Sequence, residues 1–148
     1  MAGQRAGVPA TVLDHGRAKA YRPIPAAERR AALAAALAAW RREDWFEAHE
    51  VLEPAWMGAD DPDERDLYSG LIKLAAAYVH RARGNAAGMA KNLGGAETRL
   101  ARVASRHERF QGVAVGPLLV EVRSRLATAG GRADLAVPPP PIVTEEDS

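Results

Sequence analysis

The stretch WFEAHEVLEPAW, residues 45–56, puts His49, Glu50 and Glu53 on one short piece of chain with Trp45 and Trp56 at its ends. On a helix, residues three and four apart share a face. Trp45, His49, Leu52, Glu53 and Trp56 then line one side, and Phe46 and Glu50 lie on an adjoining strip. An imidazole nitrogen and a carboxylate oxygen that converge in this way both bind Zn²⁺ or Mn²⁺. His49 and Glu53 would supply half of a divalent-metal site, with His80 as the available third ligand and Glu50 as the available general base. The run His-Glu-x-x-Glu lies near the zinc-protease pattern His-Glu-x-x-His, in which two imidazoles hold the metal and the glutamate activates water. Here Glu53 stands in place of the second imidazole.

The same residues admit two other readings. His49 and its carboxylates could do acid/base work without a metal, or they could be an internal hydrogen-bond network. A carboxylate partly desolvated between tryptophans needs a partner, and a neighbouring imidazolium supplies one. Residue chemistry alone favours that structural network. Trp45, Trp56 and Tyr78 are the candidate binding surface beside the polar groups, although Trp40 and Tyr78 also read as core.

These side chains meet only if the elements that carry them are placed correctly. Pro25 suits a first helical turn, and Leu33, Leu37 and Trp40 then recur at helical spacing. Asp44 and Glu47 form a capping pair that opens a second helix, predicted to reach about Met57 and to kink or end early at Pro54. Asp61, Pro62 and Glu64 open a third, with Leu67, Leu71, Leu74 and Tyr78 as its stripe and Gly84-Asn85 as its stop. A fourth helix is expected from about Ala86 to Ser105, interrupted by Gly94 and Gly95, and a fifth from Gly116-Pro117 to Gly130-Gly131. The tail VPPPPIVTEEDS cannot be helical through its prolines and should be extended. No segment shows strand alternation. The expectation is therefore an all-α fold: a single bundle of about five helices over residues 24–131, a flexible or loosely docked arm over 1–23, and a Pro-rich acidic tail over 132–148.

Composition narrows the function classes. A chain of 148 residues with 47% hydrophobic and 26% charged residues suits one globular domain with its own core. It has no cysteine, which removes disulfides, thiolate nucleophiles and Cys-based zinc sites, and fits a reducing cytoplasm. A net charge of +1 provides no overall field for nucleic acid or an acidic membrane. No apolar run approaches the roughly 20 residues that span a bilayer, and no apolar block with a cleavage site follows Arg5, so a secretory signal is not expected.

Three blocks in order, DWFEAHEVLEPAW, GLIKLAAAYVHRARGN and GMAKNLGGAETRL, resemble DUF309, a family of small bacterial and archaeal proteins of unknown function. The likeness covers about residues 30–127. It implies a compact bundle of antiparallel helices and brings no established activity; the family is sometimes labelled a metal-dependent hydrolase on the strength of its His and Glu residues. The family's motif falls on His49, Glu50, Glu53 and Trp56, with His80 in the second block.

Other partners follow from other residues. The third and fourth helices form a hairpin of the kind that binds peptides in tetratricopeptide arrays, but no second copy occurs at that period. A single hairpin could still bind a protein or a small ligand. Arg99, Arg102, Arg106 and Arg109, with Lys91, form a strip able to hold phosphate groups, yet no interleaved aromatic residues suggest base stacking, so nucleic acid is not the expected partner. His15 and His107 read as surface residues without clustered partners. Large apolar stripes on small helices also make a homodimer an expectation.

Overall fold

The computed structural model describes residues 11–14, 17–20, 23–129 and 138–145. The order of elements is β1 (Thr11–Asp14), β2 (Arg17–Ala20), α1 (Ala26–Arg41), α2 (Trp45–Met57), α3 (Pro62–Ala82), α4 (Ala86–Ala104), β3 (Arg109–Phe110), β4 (Val113–Ala114) and α5 (Val115–Ala129). The body is the expected helical bundle. His15, the predicted stop at Gly130-Gly131, and the remainder of the 1–23 arm and of the 132–148 tail lie outside the described residues.

Local chemistry starts the helices where the sequence places them. The Asp44 carboxylate accepts from the Glu47 N–H at 3.1 Å, Asp61 from Glu64 N–H at 2.9 Å, and the Asn85 side chain from Gly88 N–H at 3.0 Å. Each satisfies an N–H that has no partner inside its helix. Gly84, at φ 73°, supplies the left-handed stop of α3, so Asn85 belongs to the next helix as its cap. Pro54 does not end α2 early: the helix continues to Met57, and the Pro54 carbonyl accepts from Gly58 N–H at 2.9 Å. Gly94 and Gly95 do not break α4 either.

Two short hairpins accompany the helices of this all-α fold. β1 pairs antiparallel with β2, and β3 with β4. The second closes through Gln111 and Gly112, both at positive φ (54° and 79°), as a two-residue hairpin turn requires. Strands of two residues are too short to show alternation.

α3 is the central element, packed on α2 on one side and on α4 on the other, with α1 against α2 and α5 against α4. Leu52, Leu67, Leu74, Leu93 and Leu100 are fully buried in the core these helices share. α3 and α4 approach closely at Gly70, where a Cβ would stand 2.9 Å from the Leu100 side chain. A buried polar cluster ties α1 to α3. Arg29 donates to Glu64 from Nε at 2.6 Å and from a second nitrogen at 3.1 Å, and the Tyr68 hydroxyl donates to Glu64 Oε2 at 2.6 Å. Another guanidinium N–H of Arg29 donates to the Ile24 carbonyl.

Residues 138–143 form no helix and lie against the bundle. Trp40 Nε1 donates to the Pro140 carbonyl at 3.1 Å, and Arg125 Nε to the Pro138 carbonyl at 2.7 Å. Ile142 is buried, and Thr144 bridges to Val113 of β4. Among the described residues, no helix is long and apolar enough to cross a membrane.

Candidate functional site

α2 buries Ala48, Leu52, Ala55 and Trp56 against the core, which leaves His49 half-buried at the edge of that face. Its Nδ1 lies 3.1 Å from Oε2 of Glu50. A carboxylate only accepts, so Nδ1 donates in this contact, and in the neutral form of the ring Nε2 keeps an unshared pair. A carboxylate on one ring nitrogen is the arrangement that orients an imidazole as a base or as a metal ligand.

His80, in the last turn of α3, has the opposite tautomer. Asn85 Oδ1 is held by the Gly88 N–H, so the Asn85 amide presents its NH₂ to His80 Nδ1, at 3.1 Å. Nδ1 of His80 is therefore an acceptor, and the neutral ring carries its proton on Nε2. The ring fits because position 88 is glycine: a Cβ there would stand 2.6 Å from His80 Nδ1.

Both imidazoles line one open cleft of about 220 Å³, together with Phe46, Ala76, Val79, Arg83 and Asn92. Phe46 is 59% exposed, an unusual setting for a large apolar ring. The cleft thus gathers two imidazoles whose neutral forms differ in tautomer beside an apolar wall.

Other members of the expected site lie elsewhere. Glu53 is half-buried on α2 and does not line the cleft. Tyr78 is completely buried and Trp56 nearly so. Trp45 stacks edge-on against Trp40, with ring centroids 4.6 Å apart, and lines a different groove under residues 138–143. The Tyr78 hydroxyl is buried, and burial raises its pKa, an effect the neighbouring Arg125 and Arg81 partly offset. Among the described residues, no group of three or more His, Asp or Glu side chains stands where it could hold a metal ion. His49 leaves Nε2 open to a metal, whereas Nδ1 of His80 is engaged by the Asn85 amide.

Three polar contacts escaped the reading of the sequence. His107 is not an unpartnered surface residue: its Nε2 donates to Asp63 at 3.0 Å and its ring packs on Phe110 at 4.5 Å. The Asp63 carboxyl is held below its ordinary pKa chiefly by this hydrogen bond; burial opposes it, and Arg106 adds to the lowering. The arginine strip is likewise divided. Arg102 pairs with Asp66 at 3.3 Å and Arg106 with Asp63 at 2.6 Å, both on α3.

The family model described as a domain of unknown function, DUF309, matches residues 33–92. Residues 33–92 belong to the DUF309 family. The DUF309 stretch runs from Leu33 in α1 to Asn92 in α4 and contains His49, Glu50, Glu53, His80 and the Asn85 cap. The uncharacterized protein YpuF of Bacillus subtilis (strain 168) is 39% identical over 82 residues, which are 55% of this chain and 46% of that protein. The chain thus spans about half the length of that curated relative. No solved structure matches it. Every residue that lines the two-histidine cleft falls within the DUF309 stretch.

The signal that would have separated Glu50 from Glu53 is absent from spacing, because both lie within one turn of His49. The signal for His80 was available. Asn85 caps α4 from five residues beyond His80, and Gly88 lies one turn into the helix that follows, so the three converge across the α3–α4 turn.

Proposed function

We propose that this protein is a helical module that binds a small polar molecule in the cleft between α2, α3 and α4. What supports this is the pairing of two imidazoles from different helices, His49 with an accepting Nε2 and His80 with a donating one, on a single cavity. Such a pair recognises a group that both donates and accepts, for example a carboxamide or a hydroxyl. Phe46, Ala76 and Val79 would cover the ligand's apolar part. A cavity of about 220 Å³ suits a molecule smaller than a typical drug. The test is a screen of amide- and hydroxyl-bearing fragments, read by the ring carbon–proton resonances of the histidines. Binders should shift both rings, and His49→Gln or His80→Gln should remove them. A screen that moves neither ring would sink the reading.

One observation favours a second reading. Glu50 at 3.1 Å orients His49 as a general base, which would suffice for a hydrolytic step on a ligand bound in the same cleft. In a metal-assisted form His49 would hold Zn²⁺ or Mn²⁺; Glu53, which lies outside the cleft, would have to turn into it, and His80 would have to change its tautomer and leave Asn85 to join as a further ligand. Elemental analysis after chelator-free purification, together with assays on activated esters, separates the forms. Bound metal lost in His49→Gln supports the metal enzyme. Metal-free hydrolysis lost in His49→Gln supports the base alone. Neither metal nor turnover leaves the binding module.

A further inference from the structure

Arg83 lines the histidine cleft from the C-cap of α3. Among the described residues that line it, Arg83 alone carries a permanent charge, and no carboxylate stands beside it. Its guanidinium takes part in no ion pair or side-chain hydrogen bond among the described residues. The residue is exposed, at the rim of the cleft.

The other polar groups of the cleft divide into a donor and two acceptors. The Asn85 amide on Nδ1 of His80 leaves the Nε2–H of that ring to donate. Asn92 spends an N–H on the Gly88 carbonyl at 2.9 Å, which leaves its amide oxygen as an acceptor. His49 in its neutral form adds Nε2 as a second acceptor. Phe46 and Val79 supply apolar surface.

A carboxylate suits the donor end. It takes two parallel N–H bonds from a guanidinium, and such charge-assisted forks are stronger than bonds between neutral partners. A phosphate fits the same fork but brings more charge than one arginine offsets, and it has no proton to spare for both Asn92 and His49. A ligand that satisfies these two must also donate, as a hydroxyl does. A cation at the end of α3 also has a structural use, since it complements the helix dipole. Arg81, in the last turn of the same helix, is already placed for that.

We propose that the ligand of the histidine cleft is a small hydroxy-carboxylic acid, with its carboxylate held by Arg83 and the Nε2–H of His80, and its hydroxyl donated to His49 or Asn92. This rests on the ligand-binding reading above and adds to it the charge of the ligand.

Titration of the full chain with 4-hydroxybenzoate and with the uncharged 4-hydroxybenzamide, which has the same shape, tests it. The readout is the histidine ring resonances at neutral pH and fixed ionic strength. Both compounds should shift the rings of His49 and His80, and the acid should bind about tenfold or more tighter. Arg83→Gln should lower the affinity of the acid to that of the amide and leave the melting temperature unchanged. Arg30→Gln, which removes an exposed arginine of α1, should alter neither affinity. If Arg83→Gln does not fold, Arg83→Lys decides: it keeps the charge without the fork, and should weaken the acid while sparing the amide. An amide that binds as tightly as the acid, or a preference for the acid that survives in Arg83→Gln, overturns the carboxylate assignment and leaves the binding module standing. So does an equal loss in Arg30→Gln, which would make the effect one of overall charge. If neither compound moves either ring, both readings fall together.

Discussion

The ring of His80 occupies the space that a side chain at position 88 would need: a Cβ on Gly88 would stand 2.6 Å from its Nδ1. The glycine is therefore part of how the cleft is built, since any larger residue must push the ring off the Asn85 amide that fixes its tautomer.

Gly88→Ala and Gly94→Ala should part company for this reason. Alanine favours a helix over glycine by about 1 kcal/mol, and nothing lies within 4 Å of a Cβ at Gly94. Gly94→Ala should raise the unfolding free energy by up to that amount and leave ligand binding unchanged. In Gly88→Ala the same gain is offset by displacement of His80, so stability should change little while the His80 ring resonances move and fragment binding weakens. Urea denaturation and histidine spectra of the two variants check both outcomes.

Glu64 accepts from Arg29 and from Tyr68 while only 5% exposed. Removing the acceptor leaves a largely buried guanidinium and a buried hydroxyl unpaired. Glu64→Ala should cost about 3–5 kcal/mol, the range for breaking a buried ion pair from one side. Tyr68→Phe removes one hydrogen bond to a charged group and should cost about 1.5–3 kcal/mol. Equilibrium unfolding of the two variants measures both, and a Glu64→Ala protein as stable as the parent would show that the cluster does not hold α1 to α3.

Stability should fall at both extremes of pH through identifiable groups. Burial, and then the Glu64 hydrogen bond, raise the Tyr68 pKa far above its ordinary 10.0. A raised acid binds its proton more tightly in the folded state. Its contribution is therefore full below pH 10.0 and is lost as pH climbs from there toward the folded value. The alkaline decline should be shallower in Tyr68→Phe. Asp63 has the opposite sign. Its folded pKa lies below 3.8, so its contribution is full above that value and is lost as pH falls through the folded one. Asp63→Asn should flatten the acid limb of the stability profile. Melting temperatures across pH, parent against variant, read both slopes.

Trp40 Nε1–H is bonded to the Pro140 carbonyl, and this contact joins residues a hundred positions apart. Trp40→Phe keeps an aromatic ring but loses the donor, and should cost about 0.5–1.5 kcal/mol. Deuterium exchange should quicken at Glu145, whose N–H donates to the Gly112 carbonyl at 3.0 Å, before it quickens in α3. Uniform exchange in parent and variant would mean that this hydrogen bond does not hold the segment.

The chain's segmentation into helices is written locally. Asp44, Asp61, Asn85 and Pro62 act within three residues of their own positions, and the apolar stripes of α3 and α4 repeat within one or two turns, so spacing alone reveals them. The residues that make up the polar stretch on α2 were equally legible, as were the three blocks that mark the family. Tertiary structure decided the rest. Glu50 and Glu53 are both within reach of His49 along the helix, and the folded rotamers select Glu50. Glu64, whose main-chain N–H meets its capping role, has a carboxylate whose partners lie on α1 and one turn further along α3. Lys73 and Lys91, on different helices, line one cleft between α3 and α4, which approach closely at Gly70. A cap or a stripe needs only neighbours along one helix, whereas the hydrogen-bond partner of an imidazole or the lining of a cleft depends on groups from separate helices, and their distances are set by packing.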